Sequence, residues 1–136
     1  MKIYYFIITI SILFSCSKES ALIVNIPPED ASYAMIIGSL ENNLPKDLLF
    51  EDLSSNVSEY TELHENIGSE NEMMMRKVRA FKLAPKETLN LNHGGKHIML
   101  INLNQSLKVG DTFEVVIPDK TKKKHAFKVT VKDMHH

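Results

Sequence analysis

Histidine and methionine side chains are concentrated in the middle of this chain of 136 residues. Thioether sulfur is a soft, neutral ligand that suits Cu(I), and imidazole suits copper in either oxidation state. Any one of these side chains could instead be an ordinary core or surface residue, since methionine often fills irregular gaps in cores. Taken together they predict a Cu(I) site among the following residues: His64, Met73, Met74, Met75, His93, His97 and Met99.

The segment His97-Ile98-Met99 indicates how a strand would position two of these ligands. Side chains alternate between the two faces of a β-strand, so His97 and Met99 project from the same side. Ile98 and Leu100 then face the other way, toward a hydrophobic core. An imidazole and a thioether two residues apart on one face are well placed to bind one metal ion.

Two further predicted strands supply candidates. Alternation places His64 on the opposite face from Leu63. In the methionine triplet, Met73 and Met75 share a face and Met74 points away from it. Local alternation therefore does not decide between Met73 and Met75 as the ligand.

The elements that must position these residues are short strands. The segments beyond residue 20 are rich in β-branched and aromatic residues and are separated by turn signals, which favours an all-β sandwich or barrel in a single domain. The predicted strands are residues 21–26, 32–40, 47–53, 60–65, 73–78, 88–91, 96–103, 112–117 and 125–131.

The N-terminus has the features of a bacterial lipoprotein signal. Lys2 precedes an apolar run, residues 3–14, that is shorter than the roughly 20 residues a membrane span needs. The run leads into Leu-Phe-Ser-Cys, which resembles a lipobox, and Cys16 is the only cysteine; an ordinary signal peptide ending near a cysteine is the alternative. We predict a signal peptide at residues 1–15, a lipidated tether at residues 16–20 with the lipid on Cys16, and one domain at residues 21–136. Such a protein is exported to the periplasm or cell envelope and is held on a membrane by its lipid.

Composition excludes several classes of site. If Cys16 is acylated, the mature domain has no thiol, which excludes a disulfide, a thiolate nucleophile and a blue-copper centre. The net charge of −1 gives no sign of a nucleic-acid partner. The local basic run at residues 120–124 is interpreted as a solvated loop between strands.

The spacing of the candidate ligands is similar to a known signature. Ten residues separate His64 from Met75, twenty-one separate Met75 from His97, and one separates His97 from Met99. This pattern resembles the H-x10-M-x21-H-x-M motif of the periplasmic copper chaperone family PCuAC. The resemblance extends to residues 61–65, to residues 91–100 with a Gly-Gly hairpin before the last two ligands, and to the turn at residues 107–112.

The resemblance implies a cupredoxin-like Greek-key β-sandwich and a defined ligand set. One Cu(I) would be bound by His64, Met75, His97 and Met99. The protein would be an extracytoplasmic metallochaperone and not an enzyme, and it would deliver copper to a cytochrome c oxidase subunit or a Sco-type protein. We expect a monomer. His93 stands where the family usually has proline, and it is interpreted as a bystander or a fifth contact. The residues that could provide accessory metal contacts are Met73, His93, Met134, His135 and His136.

Three alternatives remain open at the level of sequence. The protein could buffer copper for resistance instead of delivering it. It could be a zinc-dependent hydrolase that uses His64, His97 and Glu65 with a water molecule, although the methionines would then be unexplained. It could also be a structural lipoprotein whose methionines and histidines belong to the core.

Overall fold

Eleven β-strands account for the regular structure of residues 21–69 and 71–134, which are the residues that the computed structural model describes. No helix in these two ranges is long and apolar enough to cross a membrane. The strands are β1 (Ala21–Asn25), β2 (Tyr33–Glu41), β3 (Leu48–Leu49), β4 (Ser54–Ser55), β5 (Ser58–Ile67), β6 (Met74–Lys77), β7 (Lys82–Leu83), β8 (Thr88–Leu91), β9 (Lys96–Leu103), β10 (Thr112–Pro118) and β11 (Lys124–Lys132).

Nine of these strands pair into one sheet in the order β4-β10-β11-β1-β2-β9-β5-β6, and β8 also pairs with β2. β1 and β11 are parallel, whereas the other paired neighbours are antiparallel. β2 is shared, because its first half pairs with β9 and its second half with β8. Gly38 lies between the two halves with a φ of 119°, and a Cβ there would lie 2.0 Å from the carbonyl oxygen of Ala21. Glycine at this position therefore allows β1 to approach β2.

The hydrophobic core is built from one face of most strands; β4 and β6 contribute no residue to it. Leu63, Ile98 and Leu100 are fully buried and belong to it, as strand alternation predicts. Val129 and Val131 contribute the same face of β11. Truncation of one of these residues to alanine would cost about 2–5 kcal/mol through lost burial and the cavity left behind. The core therefore fixes which face of β5 and β9 is available to a binding site.

The predicted all-β single domain is confirmed, and the differences from the prediction are local. Residues 47–53 form a strand only at Leu48–Leu49, because Phe50 and Leu53 are buried in the core without continuing the ladder. The two-residue strands β4 and β7 are too short to show alternation, so the sequence pattern misses them. Residues 1–20, which contain the predicted signal peptide and tether, lie outside the described residues, as do His135 and His136.

Candidate metal centre

His64 and His97 lie opposite each other on neighbouring strands. The antiparallel register of β5 and β9 pairs His64 with His97 and Leu63 with Ile98. Directly opposed residues project to the same face of a sheet, and the two imidazole centroids are 6.3 Å apart. His97 is fully buried and His64 is half-buried. Two segments more than thirty residues apart thus bring two imidazoles to one place.

The hydrogen bonds of His97 fix which of its nitrogens is free. Its Nδ1 lies 3.0 Å from the carbonyl oxygen of Gly95, and a carbonyl can only accept, so Nδ1 carries the hydrogen. Burial lowers the pKa of His97, so the ring is neutral at pH 7. Its Nε2 therefore carries a lone pair, and it lies 3.0 Å from the sulfur of Met75. A nitrogen donor and a sulfur donor converge here.

His64 has one ring nitrogen in a hydrogen bond and one without a partner among the described residues. Its Nε2 lies 2.8 Å from Oε2 of Glu62, and this hydrogen bond lowers the pKa of Glu62. The ionised carboxylate accepts the Nε2 hydrogen, which leaves a lone pair on Nδ1. That Nδ1 is buried and has no hydrogen-bond partner among the described residues. Leaving a buried polar atom unpaired costs about 1–3 kcal/mol, and a metal ion would remove that cost.

Glu62 is a candidate functional residue that the sequence analysis missed. Metal-binding histidines usually donate their other ring hydrogen to a carboxylate or a carbonyl, and Glu62 and Gly95 fill these two roles here. The signal was present, because a glutamate two residues from a histidine shares its face of a strand. Lys77, which lies opposite His64, is 3.3 Å from the other carboxylate oxygen of Glu62.

Met75 is on the strand at the edge of the sheet. β6 pairs with β5 so that Met75 lies opposite Asn66, which shares the face of His64. Its side chain is 50% exposed, so this ligand candidate is open to solvent. Met73 lies just before β6 and is also exposed, and alternation places Met74 on the other face. The contact with His97 therefore favours Met75 within the triplet.

Met99 lies on the same face of β9 as His97. Its register partners are Met35 of β2 and Glu62 of β5, so it occupies the row next to the paired histidines. Its side chain is buried, but it does not belong to the hydrophobic core that contains Ile98 and Leu100. The predicted alternation of His97 and Met99 is thus present in the structure.

The Gly94-Gly95 segment is not the hairpin that the sequence analysis expected. β8 and β9 are both antiparallel to β2 and pair with the same edge of it, so they run in the same direction. The chain between them bulges out, and the backbone amide of Asn66 holds it by donating to the carbonyl of Gly95. His93 is exposed on this bulge.

Other candidate residues lie away from the paired histidines. Glu65 is on the opposite face of β5 from His64, and its carboxylate pairs with Arg76 at 2.7 Å and Lys96 at 3.5 Å. Within residues 21–69 and 71–134, no three His, Cys, Asp or Glu side chains are grouped as a metal site would require. The zinc site that uses Glu65 is therefore not formed. Met134 lies beside Asn25, at the end of β1.

Three solved structures share this fold. The copper-bound PCuAC domain from PmoF2 gives a TM-score of 0.62 at 16% identity, over 82% of this chain and 88% of that one. The Cu(I) form of DR1885 from Deinococcus radiodurans gives 0.65 at 20% identity, over 86% and 78%. The apo PCuAC domain from PmoF1 gives 0.62 at 14% identity, over 84% and 92%. The fold is therefore the cupredoxin-like fold that the sequence predicts.

Comparison at the level of sequence identifies one family. A search among curated proteins finds no match. The family described as "Putative lipoprotein LpqE-like" matches residues 19–131, which is most of the chain and includes every strand that carries the paired histidines and Met75. The protein therefore belongs to the LpqE-like family.

Proposed function

We propose that this protein is an extracytoplasmic carrier of Cu(I). The observation that supports it best is the pair of histidines, each with one ring nitrogen in a hydrogen bond and the other carrying a lone pair. The proposed ligands are Nδ1 of His64, Nε2 of His97 and the sulfurs of Met75 and Met99. The two neighbours that hold copper, the PmoF2 domain and Cu(I)-DR1885, add support at the level of fold.

The donor set suits Cu(I) better than a harder ion. Two thioethers and two neutral imidazoles match a soft monovalent cation and match Zn²⁺, Mg²⁺ or Ca²⁺ poorly. Four protein ligands also leave the metal no open position for a substrate, whereas a catalytic metal keeps one. These properties favour a carrier over an enzyme.

The exposure of the ligands suits transfer to a partner. Met75 is half exposed on the edge strand β6, whereas His97 and Met99 are buried. A partner can therefore replace the sulfur of Met75 first, and the remaining ligands afterwards. We propose that the recipient is a copper-accepting protein of the respiratory chain, such as a cytochrome c oxidase subunit or a Sco-type protein.

Anaerobic loading with Cu(I) tests the site directly. We expect one copper per domain, and X-ray absorption should detect both sulfur and nitrogen in the first coordination shell. A shell of nitrogen and oxygen alone would contradict the ligand set. Loading of Met75→Ala and Met99→Ala under the same conditions should reduce the sulfur contribution.

Deletion of the gene separates delivery from buffering. Under copper limitation, loss of delivery should lower the activity of a copper-dependent oxidase, and added copper should restore it. Normal oxidase activity together with reduced copper tolerance would instead indicate the buffering function.

We also propose that the protein is exported and is anchored to a membrane by a lipid on Cys16. The lipobox-like sequence and the LpqE-like lipoprotein family support this localisation. Cys16→Ser should abolish incorporation of labelled palmitate and release the protein from the membrane fraction. Unchanged labelling of that variant would contradict the anchor.

A further inference from the structure

Four lysines are crowded into the turn between β10 and β11. They are referred to here as the lysine turn: Lys120, Lys122, Lys123 and Lys124. All four are exposed. None of them takes part in a salt bridge with another residue in the described part of the chain. The turn therefore presents a local positive charge on a protein whose net charge is −1.

The shape of this turn is fixed by a buried carboxylate. Oδ1 of Asp119 accepts from the backbone amides of Thr121 at 2.7 Å and Lys123 at 3.2 Å, and Oδ2 accepts from Nε2 of His125 at 2.8 Å. Lys122 adopts a φ of 69° within the same turn. The carboxylate of Asp119 accepts all of these hydrogen bonds from within the turn and its strand, and the residue is 3% exposed. Its negative charge is therefore largely hidden from solvent. The neighbouring Asp47 contacts the turn through its backbone carbonyl.

The lysine turn lies at the end of the sheet where β1 begins. β1 and β11 are parallel, with Leu22 opposite Val129, so Ala21 is level with Lys128. β11 begins at Lys124, four residues earlier, and therefore extends about 13 Å beyond the start of β1 at a rise of ~3.3 Å per residue. The turn therefore lies beyond the end of the sheet at which β1 begins.

The tether is too short to hold the membrane far away. Four residues separate Cys16 from Ala21, and the five residue-to-residue steps between them span at most about 18 Å. A lipid on Cys16 therefore keeps the bilayer surface within about 18 Å of Ala21. The lysine turn reaches a comparable distance beyond Ala21, and Lys124 begins β11 at that end.

We propose that the lysine turn docks on the anionic phospholipid headgroups of the membrane that holds the lipid anchor. The proposal rests on the anchor at Cys16 and does not depend on copper binding. A polybasic segment beside a lipid anchor is attracted to anionic lipid, and the attraction acts within a Debye length of the surface. Docking would hold the domain in one orientation on the membrane.

Fluorescence quenching of the lipidated protein by labelled lipid tests the docking. Mass spectrometry first verifies the lipid on Cys16; its absence would overturn the docking and leave the copper proposal intact. Lys122→Cys then provides a single free thiol for a fluorophore, because Cys16 is acylated. The protein is placed in vesicles of phosphatidylcholine, or of equal parts phosphatidylcholine and phosphatidylglycerol, each with a trace of lipid that carries a quencher on its headgroup.

We expect strong quenching only in the vesicles that contain phosphatidylglycerol, and we expect high salt to remove it. Replacing Lys120, Lys123 and Lys124 together with glutamine should reduce the docked fraction, since each lysine near an anionic surface contributes about a fivefold change in affinity. The control replaces two exposed lysines near the opposite end of β11, Lys108 and Lys132, and should leave quenching unchanged. A fluorophore at Gln105→Cys, beyond the end of β9, should show little quenching.

Equal quenching in the two kinds of vesicle would overturn the proposal, because the tether alone would then explain the proximity. Quenching that survives the triple lysine substitution, or that is absent from all vesicles, would also overturn it. Circular dichroism establishes whether the triple variant is folded. If it is not, the salt titration of the protein with its native lysines decides, and salt-independent quenching contradicts docking.

Discussion

Two regions of this molecule contain the same pair of groups and use it differently. Nε2 of His64 lies 2.8 Å from a carboxylate oxygen of Glu62, and Nε2 of His125 lies 2.8 Å from a carboxylate oxygen of Asp119. Both histidines are half-buried and both are on strands. Considered alone, the two pairs would be indistinguishable.

The neighbours of each pair make the difference. Asp119 also accepts from two backbone amides and a hydroxyl of its own turn, and the register partner of His125 is the apolar Ile117. Glu62 binds no backbone amide among the contacts seen in the described residues, and the register partner of His64 is His97. The same pair therefore closes a turn in one region and orients a proposed ligand in the other. A histidine-carboxylate pair indicates a metal site only where a second donor faces it.

Alanine substitution of the histidines should give the largest difference in Cu(I) affinity between the two regions. His97→Ala and His64→Ala should each weaken Cu(I) binding by at least roughly 100-fold, since each removes a ligand and not merely an outer partner. His125→Ala should leave the affinity unchanged. Anaerobic competition with a chromophoric Cu(I) chelator measures all three. If His125→Ala weakened Cu(I) binding as much as the other two substitutions, the distinction between the two histidine-carboxylate pairs would be wrong.

The carboxylates should give a smaller effect of the same kind. Glu62→Gln should weaken Cu(I) binding by about tenfold, at the lower end of what loss of an outer-shell partner costs, because the neutral amide holds the His64 ring less firmly. Glu65→Gln is the matched control, since Glu65 lies on the other face of β5 and pairs with Arg76 and Lys96. Equal losses from the two variants would indicate a general effect of charge and not an orienting hydrogen bond.

Much of this architecture depends on local pattern and could be predicted. Alternation in residues 97–100 correctly separates the face of His97 and Met99 from the buried Ile98 and Leu100. The bounds of β8 and β9 agree with the predicted strands. Local pattern succeeds here because the face of a side chain is decided by its immediate neighbours.

The rest depends on pairing between distant strands. No local sequence pattern indicates that β5 lies beside β9. A shift of one residue in the register of these two strands would turn His64 away from His97. The family resemblance implies a hairpin at residues 94–95, whereas β8 and β9 run in the same direction along β2. The choice of Met75 over Met73 likewise came from the family spacing, and the contact with His97 gives it a structural reason.

The methionine triplet offers a finer test of the metal-binding region. Met75→Ala should weaken Cu(I) binding by several-fold to about tenfold, because a thioether is a soft but individually weak ligand. Met74→Ala changes a side chain that is 67% exposed and is on the other face of β6, so the affinity should stay within about twofold, as expected for an exposed side chain that contacts no ligand. The same chelator competition measures both. A larger loss for Met74→Ala would mean that the register of β6 against β5 is wrong.

Substitution of Asp119 should lower the stability of the fold and leave copper binding unaffected. Hydrogen bonds from His125 and Thr121 hold the pKa of Asp119 far below its usual value of 3.8. Because the folded-state pKa is lowered, the contribution of this carboxylate to stability is fully present above its unfolded-state pKa and is lost as the pH falls through and below that value. Asp119→Asn should therefore lower the melting temperature at pH 7 by roughly 5–10 °C, because the oxygen that accepts from His125 is replaced by an NH₂ group and the hydrogen bonds to the remaining oxygen lose their charge. The difference from the native protein should shrink as the pH is lowered from about 5 toward 2, since the carboxylate of the unfolded chain then takes up a proton while that of the folded protein stays ionised. Thermal unfolding followed by circular dichroism across this range measures the difference, and Cu(I) affinity at pH 7 should be the same in the two proteins. A melting-temperature difference that does not change with pH would mean that Asp119 acts through its shape and not through its charge, and the two histidine-carboxylate pairs would then differ in their electrostatics as well as in their neighbours.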